Sequence, residues 1–314
     1  MDRIHGSDGA RARVGSGLNA VALTVLAIVV GLSGPKPTAV DATSPRIVGA
    51  RADCSARVTC TVAWELARAP VRIYAGETPE TIDRSTPVAV VRTGTEATIP
   101  VPRPGRPVYF EVVPRRARHG SVVADRMLLL DGAPNTRDLG GYGTIDGQQV
   151  RWGRIFRSDG LGAVTDADRA RLTELGLATS CPSADGAAPV DASTIRAAAA
   201  ANITDPAIRK AHGALLRRLA RGELPQFVSC SLLDDRTGWP AALVLTTLGV
   251  PKETVVGDYL QSNQFSGAPP ADRSYLDAGF EAVRTKYRTF GRYLTKGLGL
   301  DERSYRQLRR RLVE

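Results

Sequence analysis

Between residues 46 and 130 the apolar positions come in short, β-branched runs at 58–64, 71–74, 88–91, 97–101, 108–113 and 122–130. Alternation is visible in Val108-Tyr109-Phe110-Glu111-Val112, and turn residues such as Pro102-Arg103-Pro104-Gly105-Arg106-Pro107 punctuate the runs. Short alternating strands broken by turn signals predict a small β-sandwich of immunoglobulin or fibronectin-III type over 46–131. Asp131-Gly132-Ala133-Pro134 closes that region. Beyond it the spacing changes to that of helices. They are expected over 165–175, with Thr165 as N-cap, and over 207–219, where Leu215, Leu216 and Leu219 form part of one apolar face and Arg217-Arg218 stand exposed. Further helices are expected over 239–250, 254–263, 271–291 and 301–312, the last capped by Asp301. The alanine-rich stretch 187–202 reads as a helix or a poorly ordered lid. A short buried strand is expected over 224–228.

The N-terminus has its own pattern. Arg3, Arg11 and Arg13 precede an uncharged, mainly apolar run over 15–34. A basic flank before a greasy stretch marks a signal peptide or an N-terminal membrane anchor over 1–34. The core is short for a full span, which favours the signal. A buried core helix is the alternative, disfavoured because the run is apolar all round, terminal and followed by Pro35, Lys36 and Pro37. Residues 35–45 are a linker by composition. Either export reading places the rest of the chain outside the cytoplasm, secreted or anchored to the outer face of the membrane, with membrane contact only through this segment. In that setting Cys54 and Cys60 are expected to pair.

Length and charge bound the remaining choices. With 314 residues the chain is long enough for two domains. The net charge of +10, carried mostly by arginine, suits acidic partners or reflects an arginine-rich proteome. Nothing signals a nucleic-acid fold, so no nucleic-acid partner is expected. Arg309-Arg310-Arg311 reads as a solvated helix end. Four cysteines and three histidines are too few and too scattered for a zinc framework, so no metal or cofactor is expected, and His5, His119 and His212 read as surface or packing residues.

The chemistry concentrates in Ser229-Cys230-Ser231-Leu232-Leu233-Asp234-Asp235-Arg236-Thr237-Gly238. It lies between the strand at 224–228 and the helix at 239–250, whose Pro240 is tolerated in the first turn. A loop at a helix N-terminus gathers backbone N–H groups into an anion site. A cysteine in that field ionises more easily, and an arginine can fork onto two oxygens of a phosphate.

Cys230, five residues, Arg236 and Thr237 resemble the phosphate loop of protein tyrosine phosphatases, and most closely that of the bacterial secreted or lipid-acting tyrosine phosphatase family. Asn135-Thr136-Arg137-Asp138-Leu139-Gly140-Gly141-Tyr142, running on to Arg157-Ser158, is similar to the opening of that family's catalytic domain, and stretches at 259–263 and 293–299 to its last helices. The resemblance covers about residues 133–314. It implies an α/β tyrosine-phosphatase-like domain over 132–314, a sheet flanked by helices. It implies a phosphomonoester hydrolase with Cys230 as nucleophile, Arg236 on the phosphoryl oxygens and Asp235 as general acid and then base. Asp235 could instead pair with Arg236 or another basic group. Backbone amides of Ser231, Leu232, Leu233 and Asp234 would hold phosphate. Thr237 would help the thiolate leave. Arg137 could lend charge to the pocket or form an internal ion pair, and Asp138 reads as internal. The substrate would be a phosphorylated protein or a phosphoinositide.

Departures from the pattern open a second reading. Ser229 stands where the family has histidine, Leu233 where it has glycine and Asp234 where it has lysine. A carboxylate within about 5 Å of the bound dianion would repel it by roughly 3 kcal/mol per charge at an effective dielectric near 20. Pro182-Ser183-Ala184 replaces a strand end that reads Asp-Leu-Arg in the family. A catalytically impaired pseudophosphatase, binding phosphorylated ligands or partners, is therefore the alternative function.

Overall fold

The structure is a computed structural model that describes residues 47, 50–54, 58–65, 70–101, 103, 106–115, 117–179, 192–229, 236–265 and 270–314. The expected signal or anchor and the linker lie outside these. No helix among the described residues is long and apolar enough to cross a membrane.

Two antiparallel sheets form from the β-branched runs. Strands β1 (Arg51–Asp53), β2 (Thr59–Ala63) and β5 (Glu96–Pro100) are ordered β1-β2-β5; β3 (Val71–Gly76), β4 (Ala89–Val91), β6 (Tyr109–Pro114) and β7 (Ser121–Ala124) are ordered β4-β3-β6-β7. Cys60, Val62 and Ile99 from the first sheet share a core with Ile73, Phe110, Val112 and Val123 from the second. The expected strand over 122–130 stops at Ala124. Leu128 and Leu130 instead pack with Phe156 and Leu172, and Met127 bridges Arg137.

All six residues of β6 are buried, although the strand alternates. Phe110 and Val112 face the core between the sheets, while Tyr109 and Val113 cluster with Trp152 from the following segment. Tyr109 and Trp152 meet edge-on at 6.2 Å, and the indole donates to the Val122 carbonyl at 2.9 Å. The Arg126 guanidinium stacks on the Tyr142 ring at 3.7 Å.

A third sheet has the order β10-β9-β8, from β8 (Arg137–Asp138), β9 (Ile155–Arg157) and β10 (Gln226–Ser229). β8 runs antiparallel and β10 parallel to β9. Helices cover both faces. On one, Phe156 and Phe227 pack with Leu172 of α1 (Asp166–Glu174). On the other, Ile155 and Val228 join the large core built by α3 (Pro206–Arg221), α4 (Trp239–Thr247), α5 (Lys252–Leu260), α6 (Arg273–Tyr287) and α7 (Glu302–Leu312). Helix α2 (Ala192–Thr204) occupies the described part of the alanine-rich stretch. Every residue of α4 except Thr246 is buried, as an all-apolar helix requires. Thr165 caps α1 through Asp168, and Asp301 caps α7, as the sequence pattern predicts.

Two readings of arginines are corrected. Arg217 is half-buried and donates to the carbonyl of Leu298 at 3.1 Å. The run at 309–311 is not simply solvated: Arg309 binds the Leu248 carbonyl at 2.5 Å and Asp146 at 2.6 Å, and Arg311 the Ala220 carbonyl at 2.9 Å. Each guanidinium terminates carbonyls that a helix end leaves open.

Asp138 joins the third sheet to β6. It accepts from the backbone N–H groups of Gly140 and Gly153, both at 2.7 Å, and from the Tyr109 hydroxyl at 3.2 Å. Burial pushes its carboxyl up to about 6, against those N–H donors. The folded chain thus keeps a proton that the unfolded chain gives up near pH 4. The associated stability is full below about pH 4 and is lost as pH rises through about 6. Urea unfolding between about pH 4 and about pH 7 should show the parent losing roughly 1–3 kcal/mol relative to Asp138→Asn across that window; parallel profiles would contradict the assignment.

Candidate active site

Strand β10 ends at Ser229, and its ladder is extended by the Ser158 N–H donating to the Ser229 carbonyl at 2.8 Å. Cys230 follows at once. Residues 230–235, and with them Ser231, Leu232, Leu233, Asp234 and Asp235, lie outside the described residues. The chain is described again at Arg236 and Thr237, each 2% exposed. Gly238 then takes φ +65° and is the N-cap of α4, with Pro240 in the first turn. The Cys230–Arg236 segment therefore connects the carboxyl end of a parallel strand to the N-terminus of a buried helix. The positive end of a helix dipole at the carboxyl end of a parallel strand favours an anion.

Helix α5 grips the far end of this segment. The Tyr259 hydroxyl donates to the Arg236 carbonyl. Its ring lies where any side chain on Gly238 would overlap it, so both the left-handed backbone and the ring require glycine there.

The residue before Tyr259 centres a cluster of buried charge. Asp258, 2% exposed, accepts from Arg137 Nε at 3.1 Å, Arg157 Nη1 at 3.0 Å and the Tyr142 hydroxyl at 2.9 Å. Arg137 also reaches the Asp258 carbonyl at 2.7 Å, and both arginines donate to Ser262 Oγ. Burial alone would raise the Asp258 carboxyl, but the Arg137 and Arg157 guanidiniums outweigh it and hold the group well below the usual carboxylate range. Arg137 forms an internal ion pair with Asp258 at 0% exposure, the contact that one of its two readings expects.

Cys54 and Cys60 form the expected disulfide, far along the chain from the loop. His119 is exposed and His212 buried on α3, where burial pushes its imidazole down to about 4. No group of His, Cys, Asp or Glu among the described residues could hold a metal ion. Sequence reasoning passed over Arg157, Asp258, Tyr259 and Ser262 as individual residues. A signal was present: Arg157 closes an apolar strand, and Asp258 interrupts the apolar run from Val255 to Leu260.

The model of the "Tyrosine phosphatase family" matches residues 128–181 and 184–314. The chain belongs to the tyrosine phosphatase family. The match breaks at residues 182 and 183, where Pro182-Ser183 begins the departure noted above. A Cupriavidus necator protein named "Putative tyrosine-protein phosphatase" is 27% identical over 60% of this chain and 90% of its own length. The protein is thus a phosphoric monoester hydrolase of the protein-tyrosine-phosphatase type, and phosphorylated compounds are its substrate class.

Removing one partner of a buried ion pair strands the others. Asp258→Asn should cost about 3–5 kcal/mol near neutral pH by chemical denaturation. A carboxyl held below its ordinary value stabilises above about pH 4 and loses that contribution as pH falls further, so the difference should shrink in acid. A loss under about 1 kcal/mol at neutral pH would show that the cluster tolerates a neutral centre.

Proposed function

We propose that this phosphatase hydrolyses phosphomonoesters through a cysteinyl-phosphate on Cys230. The observation that carries the reading is the span from Cys230 to Arg236, set between the end of β10 and the start of α4. The Cys230 thiolate attacks phosphorus, forming the P–S bond as the P–O bond to the leaving alcohol breaks. Asp235 gives its proton to the leaving oxygen. Arg236 and the amides of residues 231–236 hold the phosphoryl oxygens while charge moves between sulfur and leaving group. Water then attacks phosphorus, Asp235 takes its proton, and Cys230 departs as thiolate with the Thr237 hydroxyl hydrogen-bonded to it.

The substrate is a phosphorylated protein or a phosphoinositide. The work is done outside the cytoplasm: the basic, then apolar N-terminal sequence and the Cys54–Cys60 disulfide both support export. The three-plus-four strand order over a shared core supports a fibronectin-III-like sandwich ahead of the phosphatase domain.

Purified protein should turn over a chromogenic phosphomonoester slowly, and Cys230→Ser should reduce kcat by at least about 10³-fold. Vanadate should raise the melting temperature of the parent protein. Equal background rates from both proteins, with a vanadate shift retained, would favour the binding protein that Leu233 and Asp234 make the rival.

A further inference from the structure

We propose that Tyr259 is a positioning residue for the phosphate loop: its hydroxyl fixes the peptide between Arg236 and Thr237 with the carbonyl turned away from bound phosphate. The inference rests on the phosphatase reading above and adds a residue that touches no substrate. Tyr259 is 1% exposed, and its hydroxyl donates to the Arg236 carbonyl. In a planar trans peptide the C=O and the following N–H point in opposite directions. Holding the carbonyl on the Tyr259 side therefore turns the Thr237 N–H to the other. A carbonyl oxygen swung toward a phosphate dianion would oppose it, whereas a fixed peptide keeps that dipole out of the anion site and the Arg236 backbone in register.

The donor is itself held. Asp258, the preceding residue, is locked by Arg137, Arg157 and Tyr142, so α5 cannot turn about its axis without breaking buried charge pairs. The Tyr259 ring is fixed against the backbone of Gly238. One side chain thus grips the Arg236–Gly238 backbone from behind, and its hydroxyl can be deleted without changing any group that meets phosphate.

The test is Tyr259→Phe in the full chain, with inorganic vanadate as probe and a chromogenic phosphomonoester as substrate. We expect vanadate Kd to weaken about tenfold and kcat/KM to fall about 10–100-fold, while the melting temperature without ligand moves by less than about 3 °C. A merely structural hydroxyl would give the reverse: a lower melting temperature with parental Kd and kcat/KM in the folded protein, which overturns the proposal. Replacing Tyr259 by 3-fluorotyrosine keeps the ring and strengthens the donor. That protein should bind vanadate at least as tightly as the parent, and weaker binding overturns the proposal even if Tyr259→Phe fails to fold. A parent that binds no vanadate overturns the phosphatase reading and this one together; a parent that binds while Tyr259→Phe binds equally overturns this one alone.

Discussion

The Asp258 carboxylate, enclosed by two buried guanidiniums, is the constraint on which the catalytic half depends. Its partners come from strands 121 and 101 residues earlier in the chain. One carboxylate therefore ties β8, β9 and α5 together. The contrast with Asp138 shows what decides the outcome. Both are almost fully buried, and burial raises both. Asp138 faces mainly neutral N–H and O–H donors, and burial wins. Asp258 faces two cations, and attraction wins. A group held so firmly ionised fixes geometry, because any rotation of α5 would expose unpaired charge in a dry interior.

A second consequence concerns the N-terminal sheets. Two packed antiparallel sheets on their own would present one face of β6 to water, and the alternation in its sequence is what such a strand shows. Here the outward residues Tyr109 and Val113 are covered by Trp152 and its neighbours. The Gly140-Gly141 pair lets that indole lie close: a side chain at Gly141 would overlap its ring. The hydroxyl of Tyr109 then reaches Asp138, one residue from Arg137. The N-terminal sheets are thus joined by hydrogen bonds and aromatic packing to the strand that carries the buried ion pair.

Periodicity made most elements legible, since the residues that set it are close in sequence. Helices α1 and α7 begin at their predicted caps, α3 and α4 begin within a residue of their predicted starts, and β2, β3, β5 and β6 fall on the apolar runs. β1 escaped because Arg51-Ala52-Asp53 has no apolar alternation to read; its partner strand supplies the order. The run at 122–130 misled because its apolar residues serve two cores in turn, first with Val123 and then with Leu128 and Leu130. The buried charges were hidden for another reason. Nothing local in Arg157 or Asp258 names a partner a hundred residues away, and a charged residue beside apolar neighbours is as often a solvated edge as a pair. Arg309 and Arg311 show the same limit, since their acceptors are carbonyls, which leave no trace in a sequence.

The substitutions within the loop and the frame around it are separable physical problems. Exchanging the family's lysine for Asp234 changes the local charge by two units, and each unit within about 5 Å of phosphate is worth roughly 3 kcal/mol at an effective dielectric near 20. That is enough to slow chemistry by orders of magnitude if the carboxylate points inward. The frame answers to other residues: the end of β10, the left-handed Gly238, Pro240 in the first turn of α4, and Tyr259 on the Arg236 carbonyl. Ser229 supplies the end of β10 through its backbone, and the other three lie outside positions 233 and 234. The glycine that admits the Tyr259 ring and the hydroxyl on the Arg236 carbonyl would serve capture of a phosphorylated ligand and its hydrolysis alike, since both need that backbone held. The support of the loop and the charge within it can therefore be altered independently of one another.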